Sequence, residues 1–270
     1  MTKPFLKWAG GKRQLLPSIR KLVPSSFKKY FEPFVGGGAV FFDLLPRNAL
    51  LSDSNERLVK TYRALRDDVD GVIRILSKCP YEASFYEESR NVNVDTFNDV
   101  QTAAWFIYMN RTCFNGLYRV NKSGKFNVPF GKYKNPTVCD EVQLRACSEA
   151  LQGVDIRHTD FSIALYEADE GDFVYFDPPY IPLSDTADFT AYQADGFSLE
   201  DHQRLCEVAR KLVERGVHVL LSASFTEGTL ALYDNSDFDL IEVQAKRAIN
   251  SKAEHRGAIS ELLIRGKQAA

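Results

Sequence analysis

No run of about 18 apolar residues occurs in the 270-residue sequence, and its beginning, MTKPFLKWAGGKRQ, lacks the apolar stretch that a secretory leader needs. Neither a membrane helix nor an export signal is expected, and the chain reads as cytoplasmic. Cysteine is scarce. The five thiols, Cys79, Cys113, Cys139, Cys147 and Cys206, are odd in number, scattered and never spaced as CxxC, which argues against a disulfide framework or a thiolate zinc site. The four histidines, His158, His202, His218 and His255, show no ligand spacing either, so no metal is expected. Internal repeats and low-complexity tracts are missing too. With 44% hydrophobic and 26% charged residues, what remains is an ordinary globular composition, long enough for one sizeable core plus an inserted piece.

Acid is missing locally, and that is more telling than the formal net charge of −2. From Met1 to Phe31 there are eight Lys or Arg and no Asp or Glu, and from Val100 to Cys139 six more, again with no acid. Either the two stretches are solvated basic faces, or they meet a polyanion such as nucleic acid.

The pattern of the first third is strand, glycine turn, helix, strand. KYFEPFV (Lys29 to Val35) has strand composition, GGG follows at Gly36 to Gly38, AVFFDLL reads as helix, and NALLSD ends a second apolar strand in acid. That is a β-α-β nucleotide-binding half. Helical periodicity then runs through RLVKTYRALRDDV, GVIRILSKC and VQTAAWFIYMN, followed by a punctuated segment from Asn110 to Pro136 that is too irregular for a helix. Alternation resumes with helices predicted near Glu141 to Leu151 and Leu199 to Arg215. Strands are predicted near Val154 to His158, Asp172 to Asp177, Val217 to Ser222, Phe238 to Val243 and Ile259 to Ile264. The expected architecture is one α/β domain, residues 1–59 and 145–270, interrupted by a mostly helical insertion over residues 60–144.

In open α/β sheets ligands sit at the carboxyl ends of strands, and three such ends carry candidate groups that should face one crevice. The glycine turn lets a backbone approach a ligand closely, but Phe41 stands where a GxGxxG dinucleotide fingerprint wants a small residue. AGGKRQ at Ala9 to Gln14 lacks the spacing and hydroxyl of a P-loop. Asp53 is placed to accept from a ribose diol, although in SDSNERL it could instead cap the next helix, as could Ser52 or Ser54.

The third end is VYFDPPY. Pro178 forces Asp177 into an extended conformation and Pro179 does the same to Pro178, so a carboxylate and a carbonyl stand fixed at a corner with no N–H donor. Such a corner receives an amino group with two hydrogens, and Tyr180 offers a flat face for a planar base. The amine of a nucleobase is a poor nucleophile because its lone pair is delocalised. Two acceptors outside the ring plane would localise that pair, and Asp177 would stabilise the charge that develops as a methyl group arrives from a sulfonium. The bland alternative is a Pro-rich turn in which Tyr180 simply packs.

The blocks FLKWAGGK, FEPFVGGGAVFFDL, RTCFNGLYRVNKSGKFNVPFGKYKNP and FVYFDPPYIPLS, in that order, resemble those of the DNA adenine methyltransferases that modify GATC, the Dam family, and within it the DpnM type of restriction-modification systems. The resemblance implies a Rossmann-like S-adenosylmethionine-dependent methyltransferase sheet with an inserted, mostly helical DNA-recognition domain. It implies S-adenosylmethionine near Trp8 and Lys12, with Glu32, Phe34, Gly36 and Gly38 around its methionine part, Asp53 on its ribose, and Asp160 and Phe161 bordering its adenine. Asp177, Pro178, Pro179 and Tyr180 match the catalytic motif and would receive an adenine flipped out of duplex DNA. By the same similarity DNA contacts fall on Lys7, Arg111, Phe114, Asn115, Leu117, Arg119, Pro129 and Tyr133.

The chemistry of these residue types suits such roles. Arg119 can read a guanine with two hydrogen bonds, Leu117 or Pro129 can touch a thymine methyl, and Phe114 can wedge into the gap left by an extruded base. Leu117 or Phe114 could equally be core residues, and Arg111 a phosphate contact. Relatives carry Ser-Asn where this chain has Ser222-Ala223, and the segment Ile181 to Phe197 resembles their substrate-side loop. Methylation of adenine at another DNA site, of cytosine, or of adenine in RNA stays open, since any flat amide-like amine suits the tetrad. A cognate restriction endonuclease acting on the same site would fit the DpnM-type resemblance.

Overall fold

The structure, a computed structural model, describes residues 2–8, 10–181, 197–246 and 258–268. Most of the segment resembling a substrate-side loop, residues 182–196, lies outside the described residues. In chain order the elements are α1 (Leu16–Arg20), β1 (Tyr30–Glu32), α2 (Ala39–Leu44), β2 (Ala49–Asp53), α3 (Glu56–Asp67), α4 (Val69–Leu76), α5 (Ala83–Asn91), α6 (Asp99–Thr112) and α7 (Glu141–Ala150). They continue with β3 (Asp155–His158), α8 (Ile163–Glu167), β4 (Phe173–Phe176), α9 (Leu199–Glu214), β5 (His218–Ser224), α10 (Glu227–Tyr233), β6 (Phe238–Lys246) and β7 (Ala258–Gly266). The α/β alternation and the seven-stranded, mostly parallel sheet are those expected of a Rossmann-like methyltransferase.

Two compact units divide the chain. Met1–Lys12, Val35–Leu45 and Asp53–His158 form the first; Arg13–Phe34, Pro46–Ser52 and Thr159–Ala270 form the second. Among the described residues the second holds six of the seven strands, in the order β2-β1-β4-β5-β7-β6. β2, β1, β4 and β5 run parallel, and β7 pairs antiparallel with β5 and with β6. Every residue of β4, FVYF, is buried, as a strand in the middle of a parallel sheet requires. β1 is shorter than its composition suggested because Pro33 carries no N–H for the ladder. α9 starts at a capping box, in which Ser198 and Asp201 satisfy each other's backbone N–H groups, and lays Leu205, Ala209 and Leu212 into the core with Phe31, Val174 and Leu221.

The first unit is mainly helical. α3 packs on α6 and α7, and α4 on α6. α6 is buried on nearly all sides, from Thr102 to Asn110, so it has no amphipathic stripe. α5 was not anticipated, since only Tyr86 of its residues is buried and its sequence has little apolar period. α8 and α10 were missed because five to seven residues carry too few turns for a periodic signal. α3 is capped by Asn55, whose Oδ1 accepts from the Leu58 N–H at 3.2 Å. The cap is therefore not Ser52, Asp53 or Ser54, and the Asp53 side chain is left for another task.

Candidate active site

The register of β4 on β5 places Phe176 opposite Leu221, so the residue after each, Asp177 and Ser222, emerge together. The Ser222 Oγ donates to Asp177 Oδ1 at 2.9 Å and lies 2.9 Å from the Tyr175 hydroxyl. Burial, and then the negative charge of Asp177, push the Tyr175 phenol well up, so it stays a neutral donor. On the other side of the prolines, the Tyr180 hydroxyl donates to Glu261 Oε2 at 2.8 Å. Glu261 is available there because β7 pairs with β5 with Glu261 opposite Ser224. Burial, followed by Asp177 and Glu261, raises the Tyr180 phenol well above its ordinary value. Both polar side chains of the tetrad are thus braced by residues that no local sequence pattern singles out for the purpose. Ala223 follows Ser222 with only 8% exposure and faces a small cavity beside Pro179 and Tyr180.

Elsewhere in the second unit Tyr30 donates to Glu32 Oε2 at 2.8 Å, which keeps the buried Glu32 carboxylate solvated by protein. Asp160 is gripped by Arg204 through two bonds of 2.7 and 3.0 Å and accepts the Ser162 N–H at 2.9 Å. Burial opposes its ionisation, but Arg204 and the Ser162 N–H outweigh it and hold the carboxyl at about 2. The Arg204 guanidinium lies 4.2 Å from the ring centre of Phe161, and Phe34 stacks on the same ring at 5.4 Å. Arg204 belongs to the exposed face of α9, where nothing in the sequence pointed to Asp160.

In the first unit the glycine turn closes on Asp53. Oδ2 accepts the Gly36 N–H at 3.1 Å and Oδ1 the Asn55 N–H at 2.9 Å. Burial raises the Asp53 carboxyl above the ordinary range, against the pull of those N–H groups and of His158. Glycine is required here: Gly36 has φ +45°, and a Cβ would stand 2.6 Å from the Trp8 indole nitrogen. At Gly38, φ +66°, a Cβ would meet the Tyr62 hydroxyl at 2.7 Å. Trp8 thus lies against the turn, stacked with Phe106 and Tyr118 at 6.3 Å each. Lys12, 5% exposed, donates to the Gly10 carbonyl at 2.6 Å.

The same unit assembles most of the predicted DNA residues around one buried amide. Asn110 accepts the Lys7 N–H at 2.8 Å and donates to the Lys7 and Gly116 carbonyls at 2.7 and 2.9 Å. This ties the first block to the turn carrying Phe114 and Asn115, a role the sequence did not reveal. Asn115 sits at φ 55° in that turn. Phe114 donates its N–H to the Pro129 carbonyl at 2.8 Å, and its ring is 50% exposed, so the core reading fails for it. Leu117 is half-buried. The Lys7 ammonium stands 3.9 Å from the Tyr133 ring centre, and burial, then Arg111, lower its pKa. Arg119 is exposed and set apart on a hairpin, donating to the Asn127 side chain at 2.7 Å.

Comparison with known proteins accords with this arrangement. The family model of the D12 class N6 adenine-specific DNA methyltransferases matches residues 8–249. A type II methyltransferase, M1.LlaDCHI of Lactococcus lactis subsp. cremoris, is 43% identical, with 97% of this chain and 94% of the relative covered. The type II methyltransferase M.MjaIII of Methanocaldococcus jannaschii is 44% identical over 97% of this chain and 98% of its own length. The DNA adenine methylase of Escherichia coli K12 is 36% identical, covering 97% and 94%. With Asp177-Pro-Pro-Tyr180 braced at a strand end and the match running over most of its length, the chain belongs to the D12 class N6 adenine-specific DNA methyltransferases.

Proposed function

We propose that this adenine-specific DNA methyltransferase uses S-adenosylmethionine, works within GATC, and acts on an adenine extruded from the duplex. The observation that carries the reading is the corner at Asp177. Its carboxylate is fixed by Ser222 beside two prolines without N–H groups, and Tyr180 is oriented by Glu261. Asp177 and the Pro178 carbonyl would accept the two amine hydrogens, draw the nitrogen lone pair out of conjugation and stabilise the positive charge that forms on it. The Tyr180 ring would hold the base by stacking, and the exposed Phe114 ring would occupy the gap it leaves.

The donor set suits the cofactor. The Asp53 carboxylate takes the Gly36 and Asn55 N–H groups, and its acceptor capacity beyond backbone N–H groups would serve a ribose diol. Trp8, Lys12, Glu32, Phe34, Gly36 and Gly38 would surround the methionine part, while Asp160 and Phe161 would border the adenine. When bound, S-adenosylmethionine supplies an electrophilic methyl group. In this reading residues 60–144 form the target-recognition part, with Lys7 reaching in from the first block, no metal takes part, and a restriction endonuclease of the same specificity is a fitting cellular partner in the cytoplasm.

The test is to map methylated adenines in DNA from cells expressing the protein, alongside Asp177→Ala. The expected result is N6-methyladenine confined to GATC, with turnover of the variant lost and its DNA and cofactor affinities kept. Modification of duplexes without GATC at the same rate would overturn the specificity, and full turnover by Asp177→Ala would overturn the catalytic assignment.

A further inference from the structure

Among the described residues, the side chain of the base-reading candidate Arg119 hydrogen-bonds within its own hairpin. Its guanidinium donates to the Asn127 side chain at 2.7 Å and to the Asn127 carbonyl at 3.2 Å, and its carbonyl accepts the Asn127 N–H at 3.0 Å. The hairpin closes through the Val120–Phe126 bridge and a turn in which Asn121 accepts from the Ser123 and Lys125 N–H groups. A two-stranded hairpin this short does not hold its own orientation in water. What aims it must come from outside it.

Two contacts do so. Phe126 packs edge-on against Trp105 of α6 at 5.8 Å. Arg57, in the first turn of α3, donates through Nη1 to the Gly124 carbonyl at the hairpin tip, 2.9 Å away, and through Nη2 to Asp95 Oδ1 at 3.0 Å. Its guanidinium also lies 5.9 Å from the Trp105 ring centre and close to the phenol of Tyr118. The Arg57 side chain is 20% exposed and both terminal nitrogens are engaged, so it has little to offer DNA directly. A fork that holds the tip carbonyl and the Asp95 carboxylate at once, beside the Trp105 ring, is a clamp on the hairpin tip.

We propose that Arg57 is a positioning residue for target recognition, holding the hairpin so that Arg119 meets one base pair and thereby setting sequence discrimination without touching a base. This rests on the reading above that the hairpin meets the target. A lysine at this position lacks the planar fork that meets the two acceptors through separate nitrogens, so it would retain part of the effect.

The test is steady-state kinetics of wild type, Arg57→Ala, Arg57→Lys and Arg119→Ala on the duplex that wild type methylates and on its single-base variants, together with cofactor affinity by fluorescence. Arg57→Ala is expected to lower discrimination in kcat/KM by about tenfold and to raise KM for DNA. It should keep cofactor affinity and kcat on saturating target, with Arg57→Lys intermediate. Arg57→Lys alone decides where Arg57→Ala does not fold. Should Arg119→Ala lose discrimination while the Arg57 variants keep it, or should they lose kcat equally on every duplex, the clamp is refuted. Wild-type discrimination by Arg119→Ala would instead bring down the reading of the hairpin, and the clamp with it.

Discussion

Asp177 is a surface-edge carboxylate whose usefulness depends on its neighbours. Ser222 contributes one hydrogen bond to it, and losing that bond loosens the placement of a side chain proposed to meet the amine nitrogen. Ser222→Ala is therefore expected to lower kcat roughly tenfold with little change in KM for DNA, since a small misplacement of a reacting group is costly in rate. Steady-state kinetics on saturating duplex would reveal it, and an unchanged kcat would leave Ser222 a purely structural residue. Asp53 gives a second prediction. Burial raises its carboxyl, so it takes up a proton at a higher pH than an ordinary aspartate. Protonation removes acceptor capacity, so cofactor affinity should begin to weaken on acidification before ordinary carboxylates titrate. Asp53→Asn should bind weakly at every pH, with no such dependence. Equilibrium dialysis across pH 4 to 7 would check this.

At the scale of elements, α9 illustrates how helix signals and tertiary demands combine. Its start is written in Ser198 and Asp201, and Ser198→Ala should cost about 1 kcal/mol of stability in denaturant unfolding. His202, one turn in, is buried against Phe197 at 4.8 Å, and its Nε2 finds no hydrogen-bond partner among the described residues. Burial lowers its pKa to about 4, only partly offset by Asp201. The folded chain keeps His202 neutral while the unfolded chain protonates it near pH 6.5, so the unfolded state binds more protons between these values. Stability should fall as pH drops through that window, by up to about 3 kcal/mol, and His202→Phe should flatten the dependence. A thermal-unfolding series from pH 7.5 to 4 would decide it. β4 and β5 were readable for a related reason: continuous apolar runs of parallel strands stand out, whereas α5, with one buried residue, has no pattern to read.

For the molecule as a whole, the net charge of −2 hides two acid-free basic stretches that a DNA-modifying enzyme has reason to keep. Lys-to-Ala changes there, at Lys122, Lys125 or Lys134, should weaken binding to all duplexes alike and reduce the slope of log affinity against log salt by up to about 1 each. Arg119→Ala should behave differently, costing about 1 to 3 kcal/mol at one base pair and sparing the others. Binding titrations at several salt concentrations, with matched and single-substituted duplexes, separate the two behaviours. A uniform effect of Arg119→Ala would return it to the class of phosphate contacts.

The sequence by itself determined the α/β class, most helices and strands, and the three motif turns, because each rests on local pattern: apolar period, glycine where side chains cannot fit, proline where N–H groups are unwanted. The Asp177-Pro-Pro-Tyr180 corner was legible for that reason. Its braces were not. Ser222 reaches Asp177 from 45 residues away, Glu261 reaches Tyr180 from 81, Arg204 reaches Asp160 from 44, and Asn110 joins Lys7 across 103. Strand register and helix packing make those pairs, and such placement carries no signature in any short window of sequence. Only the tertiary structure decided which polar side chains would hold the Asp177 corner and the turn after Asn110 still.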